Sequence, residues 1–138
     1  MRRILLVDDN SNLLDSLKRH FRPFSGNWDI RTAGNGEQAL NLAREHSFDL
    51  AIVDLLMPLK GGLETIAEMR RDFPSVKIIA ISGGGRTGPH DVLEKARQAG
   101  AHRTLEKPFT PKSLHDAMQA LLTSATPEAR PPVKEPSQ

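Results

Sequence analysis

Apolar residues along the chain follow two spacings, which predict alternating strands and helices. Short continuous apolar runs are typical of strands buried on both faces of a parallel sheet, and residues 4–7, 50–53 and, apart from Lys77, 76–81 have that pattern. Residues 28–33 instead alternate apolar with polar, which indicates a strand nearer the edge of the sheet. Residues 103–105 form a brief fifth strand. The pattern therefore predicts five strands.

Between these runs, apolar residues recur at intervals of three and four, the spacing of amphipathic helices. Either Asn10 or Ser11 can accept the hydrogen bond that caps a first helix. A third helix stops before Pro74, because proline lacks the amide that a helix interior requires. Pro89 suits the first turn of a fourth helix and Pro111 that of a fifth.

Five strand–helix units in succession predict an α/β fold in which helices cover both faces of a parallel sheet. We expect the doubly wound, flavodoxin-like strand order 2-1-3-4-5. The predicted domain spans residues 1–123. Residues 124–138 contain four prolines and almost no apolar side chains, so we expect a disordered tail there.

Composition limits the classes of function. Apolar residues make up 38% of the chain, but no apolar run approaches the ~20 residues of a membrane span. Cysteine is absent, which excludes disulfides and thiolate chemistry and fits a cytoplasmic location. The formal net charge is only +2 and the basic residues are scattered, so we predict neither membrane association nor direct nucleic-acid binding. The five histidines are dispersed, and we expect them on the solvated surface.

Reactive side chains follow four of the five predicted strands. Asp8 and Asp9 follow the first strand, Asp54 the third, Ser82 the fourth and Lys107 the fifth. The carboxyl ends of parallel strands meet at one edge of a sheet, and open α/β sheets bind their ligands there. We therefore expect these five side chains to surround a single site.

The chemistry of this set predicts a phosphoryl acceptor. If strands 1 and 3 are neighbours, their ends lie ~5 Å apart, and Asp8, Asp9 and Asp54 repel one another. Mg²⁺ relieves that repulsion, because it prefers oxygen ligands and leaves positions for a phosphate oxygen. Lys107 adds a positive charge and Ser82 a hydroxyl donor. We predict that Asp54 is the nucleophile and forms an acyl phosphate.

The glycines at positions 83–85 follow the fourth strand. The backbone amide of Gly83 can add a donor toward a phosphoryl group on Asp54. This run lacks the GxxxxGK[ST] spacing of a nucleotide-binding P-loop, so we reject that interpretation. A phosphatase of the haloacid dehalogenase type would place an acid at position 56, where this chain has leucine.

These motifs resemble the receiver domain of two-component response regulators, over residues 3 to about 123. The matching features are the acidic pair Asp8-Asp9, Asp54 within DLLMP, Gly61-Gly62, Ser82 and Lys107-Pro108-Phe109. The resemblance implies phosphorelay signalling by a phosphoprotein, not an enzyme, with Asp54 phosphorylated by a histidine kinase or a histidine phosphotransfer protein. It also implies that Mg²⁺ is held by Asp9, Asp54 and the backbone carbonyl of Leu56, with Asp8 acting mainly through water.

The resemblance leaves open how the phosphorylated protein passes on its signal. Residues 89–122 would dock a downstream protein or a second copy of the chain. Alternatively, the chain is a receiver module cut from a larger DNA-binding regulator or hybrid histidine kinase. Three features depart from the family's commoner choices: Thr104 stands where many receivers carry tyrosine or phenylalanine, Leu56 and Gly84 cannot orient a water, and glycines fill positions 83–85.

Overall fold

The computed structural model describes residues 2–22, 28–55, 61–82, 89–107 and 109–124 of the 138-residue chain. Strands and helices alternate along it. In chain order they are β1 Arg2–Val7, α1 Ser11–Phe21, β2 Trp28–Ala33, α2 Gly36–Glu45, β3 Leu50–Asp54, α3 Gly62–Asp72, β4 Lys77–Ser82, α4 Pro89–Ala99, β5 Arg103–Glu106 and α5 Pro111–Ser124. No helix within these ranges has the length and apolarity that crossing a bilayer requires.

The strands form one parallel sheet in the order β2-β1-β3-β4-β5, which confirms the predicted topology. Val7 at the end of β1 lies opposite Val53 in β3. Ser82 at the end of β4 lies opposite Glu106 in β5. This register brings the carboxyl ends of β1, β3, β4 and β5 together at one edge.

Each face of the sheet has its own core, because successive strand residues point to opposite sides. In β1, Leu5 and Val7 pack toward α2, α3 and α4, whereas Ile4 and Leu6 pack toward α1 and α5. All four side chains are buried. The continuous apolar runs of the central strands follow from this burial on both faces.

Helix ends follow local signals. Asn10 is the cap of α1, since its side chain accepts a hydrogen bond of 3.1 Å from an amide of the first turn. Asn35 caps α2 in the same way, through a 2.9 Å bond from the amide of Gln38. At the other end of the chain, α5 continues to Ser124, where the predicted tail begins. Residues 125–138 lie outside the described residues.

Candidate functional site

Three carboxylates meet at the carboxyl edge of the sheet. Asp8 and Asp9 directly follow β1, and Asp54 is the last residue of β3. One carboxylate oxygen from each lies within 4.8 Å of those of the other two. Asp8 and Asp54 are each only 5% exposed, whereas Asp9 is exposed. The cluster therefore combines two buried acids with one that faces solvent.

Backbone hydrogen bonds hold the acids in place. The amide of Asp8 donates to the carbonyl of Ala33 at 3.1 Å, and the Asp8 Oδ1 atom accepts from the amide of Asn10 at 2.9 Å. Just past Asp54, the amide of Leu55 donates to a β4 carbonyl at 2.9 Å. The acids thus lie on segments that are tied to the neighbouring strands.

Gly62, the first residue of α3, approaches the backbone at Asp54 very closely. A Cβ atom at this position would overlap the carbonyl oxygen of Asp54 and the Cα atom of Leu55. A Cβ atom on the preceding Gly61 would meet nothing within 4 Å. Glycine at position 62 therefore lets α3 begin directly beside the acidic cluster.

Lys107 is the cation of the site. Its Nζ atom lies 3.5 Å from an oxygen of Asp8 and 3.5 Å from an oxygen of Asp54. Its backbone amide donates to the carbonyl of Ser82 at 2.8 Å, which anchors the lysine at the end of β4. Both side-chain contacts are at the long limit of a hydrogen bond, so one ammonium is shared by two carboxylates.

Ser82 completes the set of predicted side chains at this edge. It is the last residue of β4, is 3% exposed, and lies on the strand between those that carry Asp54 and Lys107. Four of the five predicted side chains are therefore within contact distance of one another, and the strand register puts Ser82 at the same edge of the sheet. Gly83 and Leu56, whose backbone groups were predicted to contribute, lie outside the described residues.

The donor set fits a hard divalent cation. Three carboxylates face one ammonium, which leaves a formal charge of −2 in the cluster. Oxygen donors of this kind are the ligands that Mg²⁺ and Ca²⁺ take in proteins. Asp9, the exposed member, keeps the cluster accessible to water and ligands.

Sequence reasoning missed a groove next to Lys107. A cavity of about 450 Å³ lies between α1 and the segment that precedes α5, and it is lined by Asn10, Leu13, Ser16, Leu17, Lys107, Phe109 and Pro111. Leu13 and Phe109 are only partly buried. In the sequence, Leu13 has the spacing of a core residue, and nothing there indicates that it borders the site.

At the amino edge of the sheet, the acids have close partners. Arg3 Nε and Arg31 Nε donate to Asp29 at 3.1 and 3.2 Å. The hydrogen bond from Arg31 has the largest effect on the pKa of Asp29 and lowers it; Arg3 lowers it further, and burial opposes both. The Asp49 carboxylate accepts the amide of Arg3 at 2.8 Å. These carboxylates hold β1, β2 and the start of β3 together.

The expectation that every histidine is solvated was wrong for His102. This residue precedes β5 and is partly buried, with its Nδ1 atom accepting a 3.0 Å hydrogen bond from the amide of Ile78. Burial, followed by the charges of Lys77 and Arg70, lowers the pKa of His102 to about 4. The ring is therefore neutral at physiological pH.

Comparison with known proteins gives one consistent relationship. The family model described as response regulator receiver domain matches residues 4–119. A response regulator receiver protein from Anaeromyxobacter is 39% identical over 108 residues, which cover 78% of this chain and 43% of that protein. The chain spans about half the length of the curated relatives it matches.

Solved structures show the same similarity. A CheY-like receiver domain protein from Methanospirillum hungatei matches with a TM-score of 0.81 at 25% identity, covering 90% of this chain and 95% of that one. The response regulator TrrA from Thermotoga maritima, solved in complex with Mg²⁺-BeF, matches with a TM-score of 0.75 at 33% identity. That match covers 88% of this chain and all of TrrA.

Proposed function

This chain belongs to the response regulator receiver family, and on that basis we propose that it acts in phosphorelay signalling by accepting a phosphoryl group on Asp54. One observation carries the proposal: three carboxylates and one ammonium converge at the carboxyl edge of the sheet. Asp54 is the best-placed acceptor, because it ends a central strand and contacts Lys107.

Mg²⁺ is the proposed cofactor. The carboxylates of Asp8, Asp9 and Asp54 would hold it, with Asp8 acting mainly through water and the backbone carbonyl of Leu56 as a further ligand. When bound, the cation would offset negative charge on Asp54 and on the oxygens of the incoming phosphoryl group. The spacing of the three carboxylates, within 4.8 Å, supports this assignment.

The proposed reaction is a phosphoryl transfer from a histidine. An oxygen of Asp54 bonds to phosphorus while the phosphorus–nitrogen bond breaks, and the departing imidazole keeps that electron pair. Lys107, now shared between two carboxylates, can shift its ammonium to a phosphoryl oxygen. The hydroxyl of Ser82 and the predicted amide of Gly83 would donate to the other oxygens. These contacts stabilise charge in the transition state and on the product.

The proposed phosphodonor is a histidine kinase or a histidine phosphotransfer protein. The groove beside Lys107 supports this, because partly exposed Leu13 and Phe109 offer apolar contact surface directly next to the site. Output would pass through residues 89–122 to a downstream protein or to a second copy of the chain. The proposed receiver domain spans residues 1–123, with 124–138 as a tail.

A second candidate is that this receiver is one module of a larger regulator. The curated relatives are about twice as long as the matched region, and two of them are named transcriptional regulators. In that case phosphorylation of Asp54 would control an attached domain through the same 89–122 surface.

Intact-protein mass analysis after incubation with acetyl phosphate and Mg²⁺ tests the proposal. We expect the wild type to gain one phosphoryl group and Asp54→Asn to gain none, because the amide is a poor nucleophile. Asp15→Asn, at an exposed position of α1, is the matched control and should be labelled like the wild type. Equal labelling of Asp54→Asn and the wild type would refute the assignment.

A further inference from the structure

A second charged site lies toward the amino end of β5. A cavity of about 360 Å³ opens there and is lined by Arg97, His102, Arg103 and Thr104. Arg97 is in the last turn of α4, and Arg103 is the first residue of β5. Lys107 follows the opposite end of this strand, so the cavity and the acidic cluster are separate sites.

The cavity is lined by hydrogen-bond donors. The guanidinium groups of Arg97 and Arg103 donate and cannot accept, and the hydroxyl of Thr104 can donate. Because His102 Nδ1 accepts from the amide of Ile78, the neutral ring carries its proton on Nε2, which is a donor. No carboxylate from the described residues lines the cavity. Such a lining suits a ligand that only accepts, such as a carboxylate or a phosphate.

Two further positive charges act on His102, which lines the cavity. Lys77 and Arg70 are close enough to His102 to act on its ring, together with burial, and they lower its pKa. Arg70 also packs against Gly100, in the turn between α4 and β5. An anion bound in the cavity would oppose this positive field. The NMR signals of the His102 ring would therefore change when the cavity is occupied.

Arg97 can release its present partner, Glu94, and bind an external carboxylate instead. Glu94 pairs with Arg97 at 2.9 Å, and these side chains are 58% and 57% exposed. An exposed pair of this kind contributes only ~0.2–1 kcal/mol, so an incoming carboxylate can replace Glu94. No carboxylate among the described residues forms an ion pair with Arg103.

We propose that this cavity binds carboxylate side chains of an acidic protein segment. Planar guanidinium groups match carboxylates in two-point contacts, which favours Asp and Glu side chains. A nucleic acid fits less well, because the lining is one compact cavity instead of an extended basic stripe and the chain's net charge is only +2. Binding of an acidic segment does not depend on the proposed function. Its part in signalling does, because the cavity lies within the 89–122 surface proposed for output.

The test titrates the unphosphorylated full chain with a glutamate decamer and follows the His102 ring by NMR. At pH 7, where the decamer is fully charged, we expect saturable shifts of the ring resonances of His102. Arg97→Gln and Arg103→Gln should each weaken binding by about threefold to tenfold. Arg19→Gln removes the same charge from an exposed position of α1 and should change the affinity by less than about twofold.

Three results would overturn the proposal. An unresponsive His102 ring would show that the decamer does not bind in the cavity, and equal weakening by Arg19→Gln would indicate diffuse charge attraction. Tighter binding of a single-stranded oligonucleotide of equal charge would identify a nucleic-acid surface. The assay contains neither phosphodonor nor Mg²⁺, so its failure and a failure to phosphorylate Asp54 are observed separately.

Discussion

The two edges of the sheet treat their acidic residues differently. At the amino edge, Asp29 has two arginine partners at 3.1 and 3.2 Å, and Asp49 accepts a backbone amide at 2.8 Å. At the carboxyl edge, Asp8 and Asp54 share one ammonium at 3.5 Å, and an exposed third acid stands beside them.

The difference separates acids that hold the fold together from acids that could hold a metal ion. At the amino edge, two arginines compensate the charge of Asp29, and Asp49 ties the chain to β1 through a backbone hydrogen bond. At the carboxyl edge, three acids share one ammonium and repel one another, and a divalent ion bound there would relieve that repulsion. The same residue type therefore has two roles, set by its neighbours.

The largest expected effect is on Mg²⁺ affinity, and it compares the variants Asp9→Asn and Asp29→Asn. Asp9→Asn removes a ligand and should weaken Mg²⁺ binding by about 10–100-fold, with little change in stability. Asp29→Asn should leave Mg²⁺ affinity unchanged and lower the free energy of unfolding by about 1 kcal/mol. Calorimetric Mg²⁺ titration and urea denaturation measure both quantities. Similar Mg²⁺ affinities for the two variants would contradict the account.

Substitutions at Gly62 test how closely α3 approaches the backbone of Asp54 at the carboxyl edge. Gly62→Ala places a methyl group against the backbone of Asp54 and should cost about 1–3 kcal/mol of unfolding free energy. Gly61→Ala is the matched control, because its added methyl group meets nothing within 4 Å, and it should change stability by less than about 0.5 kcal/mol. Equal effects at the two positions, measured by urea denaturation, would show that this close approach does not exist.

A further prediction concerns acid sensitivity at the amino ends of β4 and β5. The pKa of His102 is about 4 in the folded state, below the ordinary 6.5. Between these values the unfolded chain binds the extra proton, so the contribution of His102 to stability should fall by about 2–3 kcal/mol as pH drops from about 7 to 4 and level off above about pH 7.5. The cause is the partly buried ring, whose Nδ1 must remain unprotonated to accept from the amide of Ile78.

His102→Asn isolates this contribution. Asparagine keeps an acceptor oxygen near the position of Nδ1 but does not titrate. Thermal denaturation across the same pH range should show a shallower loss of stability in this variant than in the wild type. Parallel curves would mean that other groups, such as Asp29, cause the acid sensitivity.

The topology and the membership of the acidic edge were predictable from the sequence because both depend on local signals. Continuous apolar runs mark central strands, and residues that directly follow such strands must lie at one edge. Asp54 directly follows such a run, and Lys107, 53 positions later, is placed at the same edge because a brief parallel strand is predicted just before it.

What the sequence did not reveal depends on contacts between distant segments. Nothing in the letters distinguishes Gly61 from Gly62, although only the second lies against the backbone of Asp54. In the sequence, His102 is one of five dispersed histidines, and only the folded structure places it beside Ile78. The groove at Leu13 and Phe109 likewise forms only when α1 and the segment before α5 meet.

Paramagnetic NMR with Mn²⁺ in place of Mg²⁺ tests the central claim most directly. The account predicts that substoichiometric Mn²⁺ broadens the amide signals of residues 8–10, 54–55 and 107, and that excess Mg²⁺ restores them. Amides near Asp29 and Asp49 should stay sharp. Broadening centred on those two residues, or spread over all exposed acids, would contradict the assignment of the carboxyl edge as the cation site.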